Sequence, residues 1–287
     1  MTISLSAGLK DLERRHPEWG PWLAVMEEVL SEAANAKWDV LVPVRTQRQE
    51  ATVPLLAGLT LPLDASLVCR WTQNLFAVAA QSGTPEMSSL NYAKLSDSNC
   101  LSLFEASLGQ DRGSLRETAA EFAVDAGAFE SVALMISVPL LQACERKWGE
   151  WKSQSWTEGY CPVCGAWPTL AEVRGIERSQ YFRCGRCGGG WHATCLFCPF
   201  CGMTDHNELA SLVPEKSDST GVVNVCKRCL GYVKTFTRLQ GAAPAMIAVD
   251  DLASVDLDVA AVEQGYKRPE GLGYALNIAV VDERSLN

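Results

Sequence analysis

Residues 160–165 read Tyr-Cys-Pro-Val-Cys-Gly, 183–188 Arg-Cys-Gly-Arg-Cys-Gly, 198–202 Cys-Pro-Phe-Cys-Gly and 226–231 Cys-Lys-Arg-Cys-Leu-Gly. These stretches hold four Cys-x-x-Cys pairs: Cys161/Cys164, Cys184/Cys187, Cys198/Cys201 and Cys226/Cys229. Two residues between cysteines make a tight turn that aims both sulfurs at one ion, with turn N–H groups free to donate to them. Such a turn tends to need a positive φ just after the second cysteine, which glycine tolerates. Gly165, Gly188 and Gly202 stand there, whereas the fourth pair has Leu230 first and Gly231 second. Pro162 and Pro199 set φ inside their turns.

Nineteen residues separate Cys164 from Cys184, and 24 separate Cys201 from Cys226. The first interval fits a two-knuckle metal site of roughly 15–20 intervening residues, and the second is slightly long. The spacing pairs Cys161/Cys164 with Cys184/Cys187 and Cys198/Cys201 with Cys226/Cys229, with a crossed pairing open because Cys187 and Cys198 are close in sequence. Four thiolates suit tetrahedral Zn(II) or a single iron of rubredoxin type, and the ligands alone do not choose between them. Cys195 offers a second register with Cys198, but Pro199 and Gly202 favour Cys198/Cys201. Cys195 is therefore expected as a buried, uncoordinated thiol.

The chain has 287 residues, 47% of them hydrophobic, enough for one large or two modest domains. Its formal charge is −9. Even residues 157–240, with 9 basic and 7 acidic groups, are barely basic. A general nucleic-acid binder needs a basic footprint, so a double zinc-ribbon nucleic-acid protein is the disfavoured alternative. The most apolar run, Ser131–Cys144, has 14 residues and contains Pro139, which reads as a buried helix and gives no stable membrane insertion. The N-terminus has neither a basic n-region nor a long apolar run, which leads us to expect a cytoplasmic, thiol-reducing location.

Residues 1–156 read as helical. Trp22, Leu23, Met26, Leu30 and Ala33 share one helix face, and Asp64 caps a helix burying Leu67, Val68, Trp71, Leu75 and Val78. Ser114 with Glu117 forms a capping-box pattern. Pro139 should kink or divide the helix that carries Val132 to Trp151. Strand-like runs follow at Gln180–Arg183, Gly190–Ala193 and Tyr232–Arg238, with a turn-rich break from Pro214 to Gly221. Asp250 or Asp251 is expected to cap a helix presenting Leu252, Val255, Val259 and Val262, which Gly265 ends, and the last 20 residues read as a tail. Of the three histidines, His16 and His206 read as solvated, and His192 as a core group or a support for the sulfurs. Neither a phosphate loop nor a Gly-x-Ser-x-Gly elbow is found.

The knuckles and their neighbours resemble the formate dehydrogenase accessory protein family, FdhE. The resemblance rests on Tyr160–Gly165 with Pro168, Arg183–Cys187 with Trp191 and His192, Cys198–Gly202, and Cys226/Cys229 with Gly231, Tyr232 and Lys234. It extends to Val249–Ala253 and Glu263–Tyr266, while the ending after Arg268 departs from the family's Asn-Pro-Phe type. The resemblance implies an α+β fold: an N-terminal helical domain, two rubredoxin-like or zinc-ribbon modules and a C-terminal helix. The expected divisions are 1–156 helical, 157–192 first ribbon, 193–240 second ribbon and 241–287 helix and tail. It further implies a non-enzymatic maturation factor that binds the catalytic subunit of respiratory, molybdenum-containing formate dehydrogenase. The eight paired cysteines match the family's ligand positions, with iron the metal associated with it. Homo-oligomerisation is left open.

Overall fold

The computed structural model describes residues 5–286 except 47, 49, 82, 83, 93, 94 and 214–220. All but the last residue of the expected break at Pro214–Gly221 therefore lies outside the described residues. The chain forms two compact units: Met1–Arg45 with Leu56–Lys147 and Leu276–Asn287, and Thr46–Leu55 with Trp148–Ala275.

The first unit is built from α1 (Leu5–Arg15), α2 (Gly20–Ala33), strand β1 (Thr60–Leu63), α3 (Ala65–Gln81), α4 (Pro85–Ser88), α5 (Asp97–Gly109), α6 (Arg112–Glu121), α7 (Ala126–Ala133) and α8 (Val138–Trp148). Asp64 accepts a bond from Ser66 N at 2.9 Å at the start of α3, as its sequence position implies. Val68, Trp71 and Leu75 are buried on α3, but Leu67 and Val78 are only half-buried; Phe76 and Ala79 complete the core face. The expected cap at Ser114 moves to Asp111, whose carboxylate accepts from Ser114 N at 3.1 Å, so α6 starts before the capping-box serine. The apolar helix is divided, and Pro139 sits in the first turn of α8, where its missing N–H costs nothing.

Trp71 Nε1 donates to Ile136 O at 2.8 Å, joining α3 to the connection between α7 and α8. Glu130, almost fully buried, takes guanidinium bonds from Arg112 and Arg116, which fix α6 on α7. Phe129 is fully buried, edge-on to Phe76 with ring centroids 5.2 Å apart. Replacing Phe129 with alanine is expected to cost about 3–5 kcal/mol in chemical denaturation of the full chain. A loss below about 1 kcal/mol would show that this packing does not hold the helices together. Ala126–Trp151 is long and apolar enough to cross a membrane (mean hydropathy 1.5), but 78% of its most apolar window is buried inside the fold, as in a core helix.

The expected tail is not one. Its residues form β8 (Ala279–Asp282), which pairs in parallel with β1 in the register Thr60↔Ala279 to Leu63↔Asp282. The Glu105 carboxylate of α5 accepts from Val280 N at 2.7 Å. A four-residue strand with no turn beside it leaves little pattern in the sequence.

The second unit is a six-stranded sheet with two helices. Its strands are β2 (Leu170–Arg174), β3 (Ser179–Arg183), β4 (Gly190–His192), β5 (Leu209–Leu212), β6 (Gly221–Cys226) and β7 (Tyr232–Arg238), in the order β4-β3-β2-β7-β6-β5. The sequence of knuckle, hairpin, knuckle and strand occurs twice. All neighbouring strands are antiparallel except β2 and β7, which run parallel and fuse the two ribbons into one sheet. One sheet face, bearing Leu170, Val223, Val225, Tyr232 and Phe236, packs on Ile247 of α9 (Met246–Ala253) and on Leu257 and Ala261 of α10 (Val255–Glu263). Asp250 and Asp251 lie inside α9 rather than capping it, and Val259 and Val262 are exposed, because α10 buries the Leu257/Ala261 side instead.

Candidate metal centres

The turns are near-copies of one another. Gly165 N bonds Cys161 O at 2.9 Å, Gly188 N bonds Cys184 O at 3.0 Å and Gly202 N bonds Cys198 O at 3.0 Å. In all four, the first cysteine's N–H reaches the carbonyl five residues on: Ala166, Gly189, Met203 and Gly231, at 2.8–2.9 Å. Gly165, Gly188 and Gly202 have φ of 66°, 74° and 72°, and Leu230 adopts 57° at the matching place. The knuckle geometry therefore forces a side-chain residue into the left-handed region, at a cost of roughly 1–2 kcal/mol.

The turns bring the sulfurs into two groups of four: Cys161, Cys164, Cys184 and Cys187, and Cys198, Cys201, Cys226 and Cys229. Within each group all four atoms lie within 4.8 Å of one another. The pairing is the uncrossed one. Cys161–Cys187 and Cys164–Cys184 sulfurs are 3.5 Å apart, Cys198–Cys229 3.6 Å and Cys201–Cys226 3.7 Å. A tetrahedron with metal–sulfur bonds of about 2.3 Å has edges of about 3.8 Å, so both quartets match the size and donor chemistry of a four-cysteine metal site.

The electrostatics agree. In the first quartet, hydrogen bonds from Cys161, Cys164 and Cys187 hold the Cys184 thiol well below its ordinary value, while burial pushes Cys161 up. The other three sulfurs push Cys187 up as well. One negative charge is thus easily held among the four and a second is resisted; a divalent cation removes that repulsion and deprotonates coordinating thiols. In the second quartet burial raises Cys198 and Cys229. Burial also opposes charge on Cys226, but the N–H groups of Cys229 and Arg228 together with the Cys201 and Cys229 thiols outweigh it and leave this thiol below its usual value.

Cys195 is exposed, contrary to expectation, because it lies on the connection ahead of the third knuckle, with Leu196 at φ 53° beside it. His192 is also exposed, edge-on to Tyr181, because as the last residue of edge strand β4 it points out of the core. His206 is 75% exposed, and His16 stacks on Trp19 at 3.9 Å. None of the three joins a sulfur quartet.

Sequence reading missed two buried ionic clusters that brace the site. Glu172 of β2 is fully buried and accepts from Arg174 at 2.5 Å, Arg183 at 2.9 Å and Ala242 N at 3.0 Å. Lys234 of β7 is fully buried and reaches the Asp251 and Asp258 carboxylates at 2.8 and 2.6 Å. Arg268 bonds the same two carboxylates at 2.6 Å each. The acidic run after Val249 is therefore an internal counter-charge that clamps α9 and α10 to the sheet. The available signal was a lone charge inside an apolar strand run, as in Leu170-Ala-Glu-Val173.

The fold and its two quartets define a double-ribbon protein, each ribbon closed by four cysteines, that also carries a helical unit. Residues 195–273 match the family model described as FdhE, C-terminal domain. Proteins named FdhE homologues are similar: one from Aquifex aeolicus is 29% identical over 124 residues, covering 42% of this chain and 43% of that protein. One from Pseudomonas aeruginosa is 33% identical over 114 residues, covering 38% and 37%. Both alignments span less than half of the relative's length. A Proteus mirabilis homologue aligns over 75% of this chain and 71% of its own length at 26% identity. The crystal structure of the FdhE protein from Pseudomonas aeruginosa shares the fold, with a TM-score of 0.54, 21% identity and 95% of each chain covered. The chain is thus similar to FdhE proteins, through its residues 195–273 in sequence and over almost its whole length in fold.

Proposed function

We propose that this chain is a non-enzymatic, cytoplasmic accessory factor in formate dehydrogenase maturation, acting as a specific chaperone for the catalytic subunit. The observation that carries the reading is the pair of sulfur quartets at metal-site spacing within a chain matching FdhE. In this reading Cys161, Cys164, Cys184 and Cys187 hold one ion and Cys198, Cys201, Cys226 and Cys229 another. Residues 157–192 and 193–240 are the respective ribbons. Rubredoxin-type iron is the preferred ion and zinc the alternative; either supplies a fixed cationic centre that locks four thiolates together. The chain's own residues do the rest. The knuckles hold the ends of the strands, and the Glu172 and Lys234 clusters fix the sheet on its helices, which leaves a rigid surface for docking. The net charge of −9 supports a protein partner over nucleic acid.

The test is capture of the catalytic subunit by the tagged full chain. Wild type should retain it, and a folded chain with Cys198 and Cys201 changed to serine should capture at least about tenfold less, a difference of about 1.4 kcal/mol. Undiminished capture by that variant would contradict docking through the metal ribbon.

A further inference from the structure

The two quartets are built alike but housed differently. In the first, all four cysteines are fully buried, and residues 161–166 are buried throughout. Chain from elsewhere in the same unit closes over this site. Leu55 N donates to Pro162 O at 2.8 Å, and Gly273 N and Tyr274 N bond Gly165 O at 2.8 and 3.1 Å. Pro244 packs so tightly on Gly188 that a Cβ there would clash with it. In the second quartet, Cys201 is exposed and Cys229 half-exposed. Gly202, the counterpart of Gly188, faces open space, and Lys227, Arg228 and Leu230 of the fourth knuckle are exposed. The buried pair of this quartet is approached too: Cys198 and Cys226 line a cavity of about 470 Å³ on the sheet face away from α9 and α10, walled by Val173, Phe182 and Val233.

Resting on the metal reading above, we propose that the second quartet is an exchangeable metal site, open to an incoming thiol or chelating nitrogen–oxygen ligand, while the first is a permanent staple. Exchange starts at Cys201. With an ion held there, an incoming thiol would take the place of Cys201 as ligand and its proton would pass to the Cys201 thiolate, so charge and oxidation state would be conserved. Each further thiolate leaves in the same way. The first quartet offers no such opening, since a competitor can reach its sulfurs only after the Leu55, Pro244 and Leu272–Tyr274 segments lift. Control of solvent and ligand access by the surrounding shell is the ordinary means of setting how fast a site exchanges.

The experiment uses the wild-type full chain loaded with zinc and challenged with 4-(2-pyridylazo)resorcinol. Release is followed by the colour of the zinc complex, and samples are alkylated with iodoacetamide for peptide mass mapping. One equivalent should leave at least about tenfold faster than the other, a gap of about 1.4 kcal/mol in barrier. Label should reach Cys198, Cys201, Cys226 and Cys229 before Cys161, Cys164, Cys184 and Cys187. Exposed Cys195 labels from the start and serves as the internal standard. Two equivalents leaving in one phase, with both quartets labelled together, would overturn the inequivalence but leave the metal reading intact. Earlier labelling of the first quartet would overturn it as well. A chain that takes up no zinc would overturn the metal reading, and this inference with it.

Discussion

Changing Cys184 to serine should unfold the sheet unit and, because both quartets lie in it, lose both ions rather than one. Cys184 is buried in the first quartet, beside Cys164 at 3.5 Å, and its thiolate is the one the other three sulfurs favour. Structural zinc sites contribute about 10–16 kcal/mol of binding free energy that is also folding free energy, more than the roughly 5–15 kcal/mol that keeps a domain folded. The helical unit has its own core around Trp38, Phe104 and Phe129 and should keep its secondary structure. Circular dichroism should therefore retain most of its helical signal, while hydrogen exchange protection across β2, β3 and β7 disappears. A variant with full protection in those strands would mean that the first quartet is not what holds the sheet.

The second large effect is expected at Lys234. Replacing it with methionine should destabilise the chain by about 3 kcal/mol in chemical denaturation, near the low end for breaking a buried pair. The low end applies because Asp251 and Asp258 keep Arg268 and are 27% and 22% exposed. The gap should depend on pH in a defined direction. Burial opposes charge on Asp251, but Arg268 and Lys234 outweigh it and hold its carboxyl below the usual value. A carboxylate depressed in the folded state contributes fully above its unfolded pKa of about 3.9 and loses that contribution as pH falls toward the folded value. The difference between wild type and Lys234→Met should thus be constant from about pH 8 to pH 5 and narrow below about pH 4. A gap that widens in acid would show that the cluster acts by another route.

The two sulfur quartets were almost wholly legible in the chain because the turns that form them are local. A Cys-x-x-Cys turn is set by four residues, and Gly165, Gly188 and Gly202 carry the positive φ it demands. The helices were legible where apolar spacing was regular, as on α2 and α3, and less so where two capping residues competed, as with Asp111 and Ser114. What the chain did not disclose is long-range. The parallel pairing of β2 with β7, which makes one sheet of two ribbons, joins residues more than 60 positions apart. The pairing of β1 with β8 joins residues about 219 positions apart and leaves no periodic trace. Tyr232 and Lys234 were read as part of a strand and Asp251 as a possible helix cap; only the fold shows that they and Arg268 form one ionic clamp. Cys195 and His192 were misjudged for the same reason, since exposure depends on neighbours that only the fold supplies.

Elemental analysis of the full chain, purified anaerobically without added metal or chelator, tests the central claim most directly. Two ions of iron or zinc per chain are predicted, one for each sulfur quartet. A folded chain that carries none, with its eight thiols free to react, would contradict the account.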